Sequence, residues 1–445
     1  MNTTLMAFLG LAMIVTFMAL IMAKKLSAFT SLVIVPILFG VLAGYGFFDT
    51  LTYAMAGIKS VASTFAMMTF AILYFGIMLL TGLFDPMVDK VVKWVKGDPL
   101  KVLVGTAILS AFVSLDGDGT TTVMIVCTAM IPIFNRLKIK KIYLATLIIL
   151  TNGVMNLIPW GGPTARVMTV MHLDANQILP PLLPGMIISI VYTIGVAYYL
   201  GKKERKRLGI QENVEHVVEH YESEDEEEGL KRPRLIWFNL ILTIALVVAL
   251  VLGKADSAIL FGFGVAIALA INYPKNKMQR HVISLLAPEM ISVVIMVLGA
   301  GVLMGVLNGP VNAKGEYVSG MSHAIAVVLT QMIPSSLGKY FAIIIAFISA
   351  PGTYLLNNDA FYYGVLPPLA ATAKAYGFSN LQIGFASLMG QAFHFLSPLV
   401  PFIYLLMDKT EITLGEYQSY IFRWCIGIFI CFMAIGLIFG YLPIL

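Results

Sequence analysis

The sequence predicts an all-α polytopic membrane protein made of two inverted-topology repeats, and three observations carry this prediction. The chain has 445 residues, of which 59% are hydrophobic and 12% are charged. That charged share is about half of what a soluble domain carries. Apolar runs of spanning length recur along the chain, and their order in the first half returns in the second half. We therefore expect about ten spanning helices and two hairpins.

Each predicted spanning helix has about 20 mostly apolar residues, the length that crosses the hydrocarbon core of a bilayer. In chain order they are 5–23, 28–48, 61–83, 142–161, 180–200, 235–253, 256–273, 286–307, 381–407 and 419–442. The first run is not preceded by a basic N-terminal region, and it has no small-residue cleavage site. We interpret it as a spanning helix rather than as a cleaved signal peptide.

Two further apolar regions, 101–134 and 340–372, are each divided into two limbs by polar residues in the middle. The limbs are too short to cross the membrane separately, so both regions are predicted to be re-entrant hairpins. Non-helical backbone at membrane depth is tolerated only where protein buries it or where it lines a wet cavity. The two hairpin tips are therefore expected to lie at a functional site.

The basic residues orient these elements. With both termini outside, 23 of the 29 Lys and Arg residues fall in cytoplasmic segments, as the positive-inside rule requires. Hairpin 101–134 then enters from the cytoplasm, and hairpin 340–372 enters from outside. The net charge of +5 reflects these cytoplasmic residues and gives no reason to expect a nucleic-acid partner.

Each half contains three spans, an amphipathic stretch (85–98 or 317–332), a hairpin and two more spans. We divide the chain into a first repeat 1–200, a charged cytoplasmic linker 201–234 and an inverted second repeat 235–445. Inverted repeats are typical of secondary transporters, which bind substrate near the bilayer midplane between the repeats.

The linker contains nine of the 24 acidic residues within 211–229. It is predicted to be a solvated connector, with a metal or pH role for His216 and His220 as an alternative. Cys127, Cys425 and Cys431 lie in apolar runs and fit neither a disulfide framework nor a metal motif.

The tip of the first hairpin reads "SLDGDGTTT", from Ser114 to Thr122. Charged groups at membrane depth are functional candidates by default, because burying them in a bilayer is costly. Asp116 and Asp118 are therefore candidates for binding a metal, and Asp118 also for carrying a proton. Thr120 and Thr121 begin the second limb, where hydroxyl and free N–H groups bind anions. An aspartate there also caps a helix, which is the structural alternative.

The stretch "TNGVMNLIPWGGPTARV", from Thr151 to Val167, predicts a helix that breaks inside the membrane. Its prolines and glycines interrupt the helix and free backbone groups for ligands. The guanidinium of its arginine suits a carboxylate, although an arginine at the outer interface also reaches back to water. The substrate-binding candidates here are Asn152, Asn156, Gly161, Gly162, Thr164 and Arg166.

The second half carries matching candidates in "GTYLLNNDAFYYG" (352–364) and "GQAFHFLSPLVP" (390–401). The substrate-binding candidates are Asn357 and Asn358 at the hairpin tip and Gln391 and Ser397 on the matching broken helix. Asp359 and His394 are candidates for proton coupling, since histidine titrates near neutral pH. His394 is alternatively a hydrogen-bonded interior residue, and Tyr362 and Tyr363 are expected to be packing residues.

Several stretches resemble the citrate–divalent metal:proton symporter family of the ion transporter superfamily. They are "SLDGDGTTT", "NGVMNLIPWGGPTARV", "GKKERKRLG" (201–209) and "FYYGVLPPLAATAKAYG" (361–377). The resemblance implies uptake of citrate complexed to Mg²⁺ or Ca²⁺, with protons, across the plasma membrane. It also implies a homodimer of the elevator type, in which a transport domain moves against a scaffold.

The charges fit this expectation. One deep arginine faces three deep aspartates, and such a site repels a bare citrate trianion unless the aspartates are protonated. A divalent cation lowers the charge of citrate and accepts oxygen ligands from the protein. We expect no cofactor beyond this transported cation. The alternatives are a proton- or sodium-coupled carrier of free citrate, dicarboxylates or another organic anion, an anion channel, and an intramembrane enzyme. No sequence motif of an enzyme supports the last.

Overall fold

The computed structural model describes residues 2–95, 97–210, 229–310 and 320–445. Across these ranges the regular structure is helical and contains no strand, as the sequence predicts. The predicted linker pair His216 and His220, together with Lys96, lies outside the described residues.

The first half forms ten helices. They are α1 Thr3–Met22, α2 Ala28–Leu42, α3 Phe47–Ser60, α4 Ala62–Leu80, α5 Asp85–Val95, α6 Pro99–Val113, α7 Gly119–Leu137, α8 Lys141–Met155, α9 Gly162–Met171 and α10 Ala175–Leu208. The last helix includes the first eight residues of the predicted linker.

The described part of the second half also forms ten helices, apart from one short turn at Ser335–Gly338. They are α11 Ile236–Leu252, α12 Ser257–Asn272, α13 Asn276–Asn308, α14 Met321–Met332, α15 Phe341–Leu355, α16 Leu366–Ala375, α17 Asn380–Leu388, α18 Gln391–His394, α19 Phe402–Thr410 and α20 Leu414–Ile438. A π-helical turn, Ala360–Val365, leads into α16.

Among the described residues, eight segments are long and apolar enough to cross a membrane. Six of them coincide with predicted spans, and the other two are the limbs of hairpin 101–134. The prediction that these limbs are too short to cross is therefore wrong. A 3₁₀ turn at Ser114–Asp116 extends α6, and α7 continues through Pro132 to Leu137.

Helix α3 was not predicted, because its sequence is less apolar than that of the flanking spans. Glycines pack it closely against α13. A Cβ added to Gly57 would collide with the Gly301 carbonyl and lie 2.7 Å from the Gly305 Cα. Small residues allow this close backbone approach between membrane helices. The predicted third span corresponds to α4 alone, and α3 is an additional helix that precedes it.

The order of elements repeats between the halves, and so do their contacts. Helix α2 packs on α13, and the corresponding α12 packs on α4. In hairpin 1 (α6 and α7), α6 packs on α8, and in hairpin 2 (α15, the π turn and α16), α15 packs on α17. Each hairpin also touches the broken helix of the other half, because α7 contacts α19 and the π turn contacts α9. Such reciprocal contacts are expected of two repeats related by a pseudo-two-fold axis.

The base of hairpin 1 is tied to the end of α10. Asp98 caps α6 by accepting a hydrogen bond from the Leu100 N–H at 3.0 Å. Its carboxylate also forms an ion pair with Arg205, whose Nε donates to Oδ1 at 2.8 Å. Burial alone would raise the pKa of Asp98, but the hydrogen bonds from Arg205 and Leu100 hold it below its ordinary value. The pair therefore stabilises the fold at neutral pH and is lost only as the pH falls through that lowered pKa.

Candidate functional site

The tip of hairpin 1 is held by its own two aspartates. Asp116 Oδ1 accepts a hydrogen bond from the Asp118 N–H at 2.9 Å. Asp118 is the N-cap of α7, and its Oδ2 accepts from the Thr121 N–H at 2.6 Å. Asp118 therefore caps a helix, which is the structural alternative that the sequence left open. The two hydrogen bonds together engage one oxygen of each carboxylate. Both side chains remain partly exposed, and Thr120 is exposed.

This tip lies against the interruption between α8 and α9, which we call break 1 (residues 156–161). Gly117 has a φ of +83°, and a Cβ added there would lie 3.4 Å from Trp160 Cδ1 and 3.5 Å from Gly161 Cα. Trp160 donates a hydrogen bond to the Leu115 carbonyl at 2.9 Å and stacks on Phe75. These contacts hold the tip of hairpin 1 beside break 1. The tip lies there although both limbs of the hairpin are long enough to span a membrane.

The polar side chains around break 1 are buried. Thr164 donates to the Leu157 carbonyl at 2.8 Å, so its hydroxyl holds the break together. Asn156 is 7% exposed and Asn152 is 1% exposed. Neither the amide nitrogen nor the amide oxygen of Asn152 has a hydrogen-bond partner in the described structure. An unpaired buried polar group costs about 1–3 kcal/mol, so Asn152 is a strong candidate for contact with a ligand.

Arg166, on α9, joins break 1 to the tip of hairpin 2. Its Nε and Nη2 both approach Asp359 Oδ1 at 2.7 Å. Its Nη1 donates to the Gly162 carbonyl at 2.7 Å. The two side chains of the ion pair are 21% and 19% exposed. A guanidinium has five N–H donors, so these contacts leave Arg166 with donors for a further acceptor.

The tip of hairpin 2 repeats the capping of hairpin 1. Asn357 Oδ1 accepts from the Ala360 N–H at 2.7 Å, with the same spacing as Asp118 to Thr121. Gln391 Nε2 donates to Asn358 Oδ1 and to the Tyr362 hydroxyl, both at 2.9 Å. Tyr362 is therefore more than a packing residue. The Gln391 Oε1 atom is buried and has no partner in the described part of the chain.

His394 and Ser397 lie in the second interruption, break 2 (residues 389–401), and both have local partners. His394 is 5% exposed, and its Nδ1 is 2.8 Å from the Thr353 carbonyl of hairpin 2. Ser397 Oγ accepts from the Leu399 N–H at 3.2 Å. Both side chains thus have a structural role, which is the alternative that the sequence left open for His394.

The predicted site residues therefore form one contiguous region. The tip of hairpin 1 touches Gly161, the adjacent Gly162 binds Arg166, and Arg166 binds Asp359 at the tip of hairpin 2. Helix α18, which carries Gln391, packs on α8, which carries Asn152. The described residues contain no group of three or more His, Cys, Asp or Glu side chains arranged to hold a metal ion.

One acidic residue in this region was missed. Glu289 lies on α13, is exposed, and is within electrostatic range of Asp116 and Asp118. The sequence contained the signal, because Glu289 falls inside the predicted span 286–307 and follows Pro288 directly. Asp116, Asp118 and Glu289 therefore form a group of three carboxylates that interact electrostatically with one another.

Replacing Asn152 with leucine should raise thermal stability and impair transport. Leucine has the same branching at Cγ as asparagine and removes two unpaired buried polar atoms, each of which costs about 1–3 kcal/mol. If the amide binds a ligand, uptake should fall about tenfold or more. Melting temperature and uptake of radiolabelled substrate by the same preparation measure the two effects.

The matched control for this substitution is Ser31→Ala on α2, because Ser31 Oγ is also buried without a partner but lies outside the site. Its uptake should not change. Equal uptake by wild type and Asn152→Leu would exclude Asn152 from the site.

Comparison with known proteins identifies the family of this chain. The CitMHS family of citrate transporters matches residues 1–390. A protein of Bacillus subtilis (strain 168) named citrate transporter is 45% identical over 98% of this chain and 99% of its own length. A second protein of that organism, named Mg(2+)/citrate complex secondary transporter, is 42% identical over 99% of this chain and 100% of its own length.

Two solved structures share the fold at low sequence identity. The YdaH transporter of Alcanivorax borkumensis, described as having an unusual topology, aligns with a TM-score of 0.54 and 13% identity, over 88% of each chain. MtrF of Neisseria gonorrhoeae aligns with a TM-score of 0.51 and 12% identity, over 89% of this chain and 84% of its own. At these identities the likeness concerns architecture alone. From the family match over most of its length, together with relatives above 40% identity, the chain belongs to the citrate transporter family.

Proposed function

We propose that this protein is a secondary transporter that imports citrate as a complex with a divalent cation such as Mg²⁺ or Ca²⁺, coupled to protons. The observation that carries the proposal is the distribution of charge at break 1. The carboxylates of Asp116, Asp118 and Glu289 interact electrostatically. The tip that carries the two aspartates packs on Gly161, and the carbonyl of the next residue, Gly162, accepts a hydrogen bond from Arg166.

This distribution suits a metal–citrate complex better than free citrate. The three carboxylates repel a trianion, and Asp359 already neutralises Arg166. A divalent cation bound to citrate lowers the net charge of the complex to one negative charge. The cation also attracts the oxygen ligands of the protein, which would repel free citrate. The name of the 42%-identical relative, which specifies a Mg(2+)/citrate complex, supports the same substrate.

In this proposal the two ends of the substrate contact different elements. Asp116 and Asp118 face the cation, directly or through water. The remaining donors of Arg166, the amides of Asn152 and Gln391, and the N–H groups near the hairpin tips face the citrate carboxylates. The other polar candidates contribute as backbone or capping groups: Thr120, Thr121, Asn156, Gly161, Gly162, Thr164, Asn357, Asn358 and Ser397.

Proton coupling is assigned to Asp359 first, with Asp118 and His394 as further candidates. Protonation of Asp359 would remove the partner charge from Arg166 and free two more donors for a citrate carboxylate. Binding of a proton and binding of the substrate would then favour each other. His394 is the weakest candidate, because the Thr353 carbonyl already engages its Nδ1.

The remaining elements of the proposal rest on the topology and the family resemblance. They are a plasma-membrane location with both termini outside, a homodimer, and an elevator-type movement of the hairpins and broken helices against a scaffold.

Uptake of radiolabelled citrate into proteoliposomes tests this function. With external Mg²⁺ and an inward proton gradient, citrate should accumulate above equilibrium, and a protonophore should abolish the accumulation. Excess unlabelled dicarboxylate should compete poorly. Accumulation driven by a sodium gradient alone would contradict proton coupling, and flux without accumulation would indicate a channel.

A further inference from the structure

A cavity lined by charged side chains lies between the ends of α8, α10, α19 and α20. The predicted topology places these helix ends in the cytoplasm. The cavity has a volume of about 630 Å³, and its walls carry the side chains of Lys140, Lys141, Lys203 and Arg423. None of its lining residues belongs to a hairpin tip or to either break. The transport mechanism therefore leaves this cavity unexplained.

The side chains that line the cavity carry more positive charges than negative charges. Lys141 forms a salt bridge with Glu411 at 2.9 Å, which neutralises one pair. Glu416 is engaged in a capping box, since its Oε2 accepts from the Thr413 N–H at 3.0 Å and from its hydroxyl. Within the described residues, Lys140, Lys203 and Arg423 form no salt bridge. These three cations define an anion-attracting surface.

The backbone adds to this surface. Helix α8 has 15 residues and begins at Lys141, with Lys140 at the N-cap and no side chain capping its first turn. Residues 140–143 all line the cavity. The uncapped N–H groups of a helix N-terminus, together with the positive end of its dipole, bind phosphate-like anions.

Aromatic side chains of the kind found at the level of lipid headgroups lie beside the cavity. Arg423 lies over the Tyr420 ring at 4.0 Å and over the Trp424 ring at 5.5 Å. Trp424 in turn packs against Tyr199, which is 60% exposed, with 6.1 Å between ring centroids. Lys203 lies one helical turn beyond Tyr199. Tyr and Trp concentrate at membrane–water interfaces, and basic pockets just beyond them on the cytoplasmic side receive anionic headgroups.

We propose that this cavity is a phosphate-binding site occupied by the headgroup of an anionic phospholipid of the cytoplasmic leaflet. The phosphodiester lies between Lys203 and Arg423 and receives hydrogen bonds from the first turn of α8. Because α8 also carries Asn152, a bound lipid fixes the cytoplasmic end of a helix that reaches the transport site.

The test measures binding of phosphatidylglycerol to the purified, delipidated full-length protein by native mass spectrometry. Phosphatidylcholine serves as the neutral lipid, and inorganic phosphate is added without lipid in a separate arm. The variants are Lys203→Gln and Arg423→Gln. The matched control is Lys202→Gln, an exposed neighbour on the same helix outside the cavity.

Each cavity variant should weaken phosphatidylglycerol binding about fivefold, which corresponds to the attraction between one cation and an anionic leaflet. The control variant should bind like wild type. Equal binding by all four proteins would overturn the site. Binding of inorganic phosphate that depends on Lys203 and Arg423, without selectivity for phosphatidylglycerol over phosphatidylcholine, would overturn the lipid assignment.

Discussion

Replacing Arg166 with glutamine is expected to reduce citrate uptake at least about 100-fold. Each charge-assisted hydrogen bond contributes about 1.5–3 kcal/mol, and a loss of 1.4 kcal/mol is a factor of ten. The variant removes the guanidinium whose Nε and Nη2 now lie 2.7 Å from Asp359 Oδ1, and it leaves that carboxylate without its cationic partner. Uptake at Mg²⁺ and citrate concentrations well below the wild-type KM measures the loss of transport.

The companion variants separate function from folding. Asp359→Asn should retain citrate binding but lose its dependence on pH, because the group that competes for Arg166 no longer titrates. The double variant Arg166→Gln/Asp359→Asn carries no unpaired charge, so its melting temperature should recover relative to Arg166→Gln alone while its uptake stays low. Recovery of uptake in the double variant would show that the ion pair is only structural.

Asp118→Asn and Asp116→Asn should each weaken binding of the Mg²⁺–citrate complex about tenfold or more. Loss of a group beside a bound cation typically costs 10–100-fold in affinity. Asparagine keeps the acceptor oxygen for the hydrogen bonds to the Thr121 and Asp118 N–H groups and is itself a good N-cap. The hairpin tip therefore keeps its shape while the charge is removed.

Asp256→Asn is the matched control for these two variants. Asp256 caps α12 by accepting hydrogen bonds from the N–H groups of Ala258 and Ile259 at 2.8 and 3.2 Å. Asp256 is a helix-capping carboxylate like Asp118, but it lies outside the site. Its substitution should therefore leave binding of the complex unchanged. If Asp116→Asn and Asp118→Asn also bound the complex like wild type, the cation would have to lie elsewhere.

The sequence was sufficient to predict the all-helical membrane architecture, because membrane burial strongly restricts which segments can span the bilayer. The length of the apolar runs located most spans. Glycine, proline and paired carboxylates inside such runs marked the hairpin tip at Asp116 and break 1 near Gly161. The symmetry also followed from sequence order, and the parallel capping by Asp118 and Asn357 supports it at the level of individual hydrogen bonds.

Pairings across the two halves could not be predicted from one sequence. Arg166 and Asp359 are 193 residues apart, and nothing local indicates that they meet. The same is true of Gln391 and Asn152, whose unpaired atoms become apparent only after α18 and α8 pack together. Limb length was misjudged for hairpin 1, because a 3₁₀ turn and a helix that passes through Pro132 do not follow from hydropathy.

Equilibrium binding of citrate to the wild-type protein in detergent, with Mg²⁺ and then with excess chelator, tests the central claim most directly. We predict saturable binding with Mg²⁺ and at least about tenfold weaker binding when the cation is removed, because the carboxylates around Asp118 then repel the free trianion. Citrate that binds equally well with chelator, at a pH where these carboxylates are ionised, would contradict the claim that the protein recognises a metal–citrate complex.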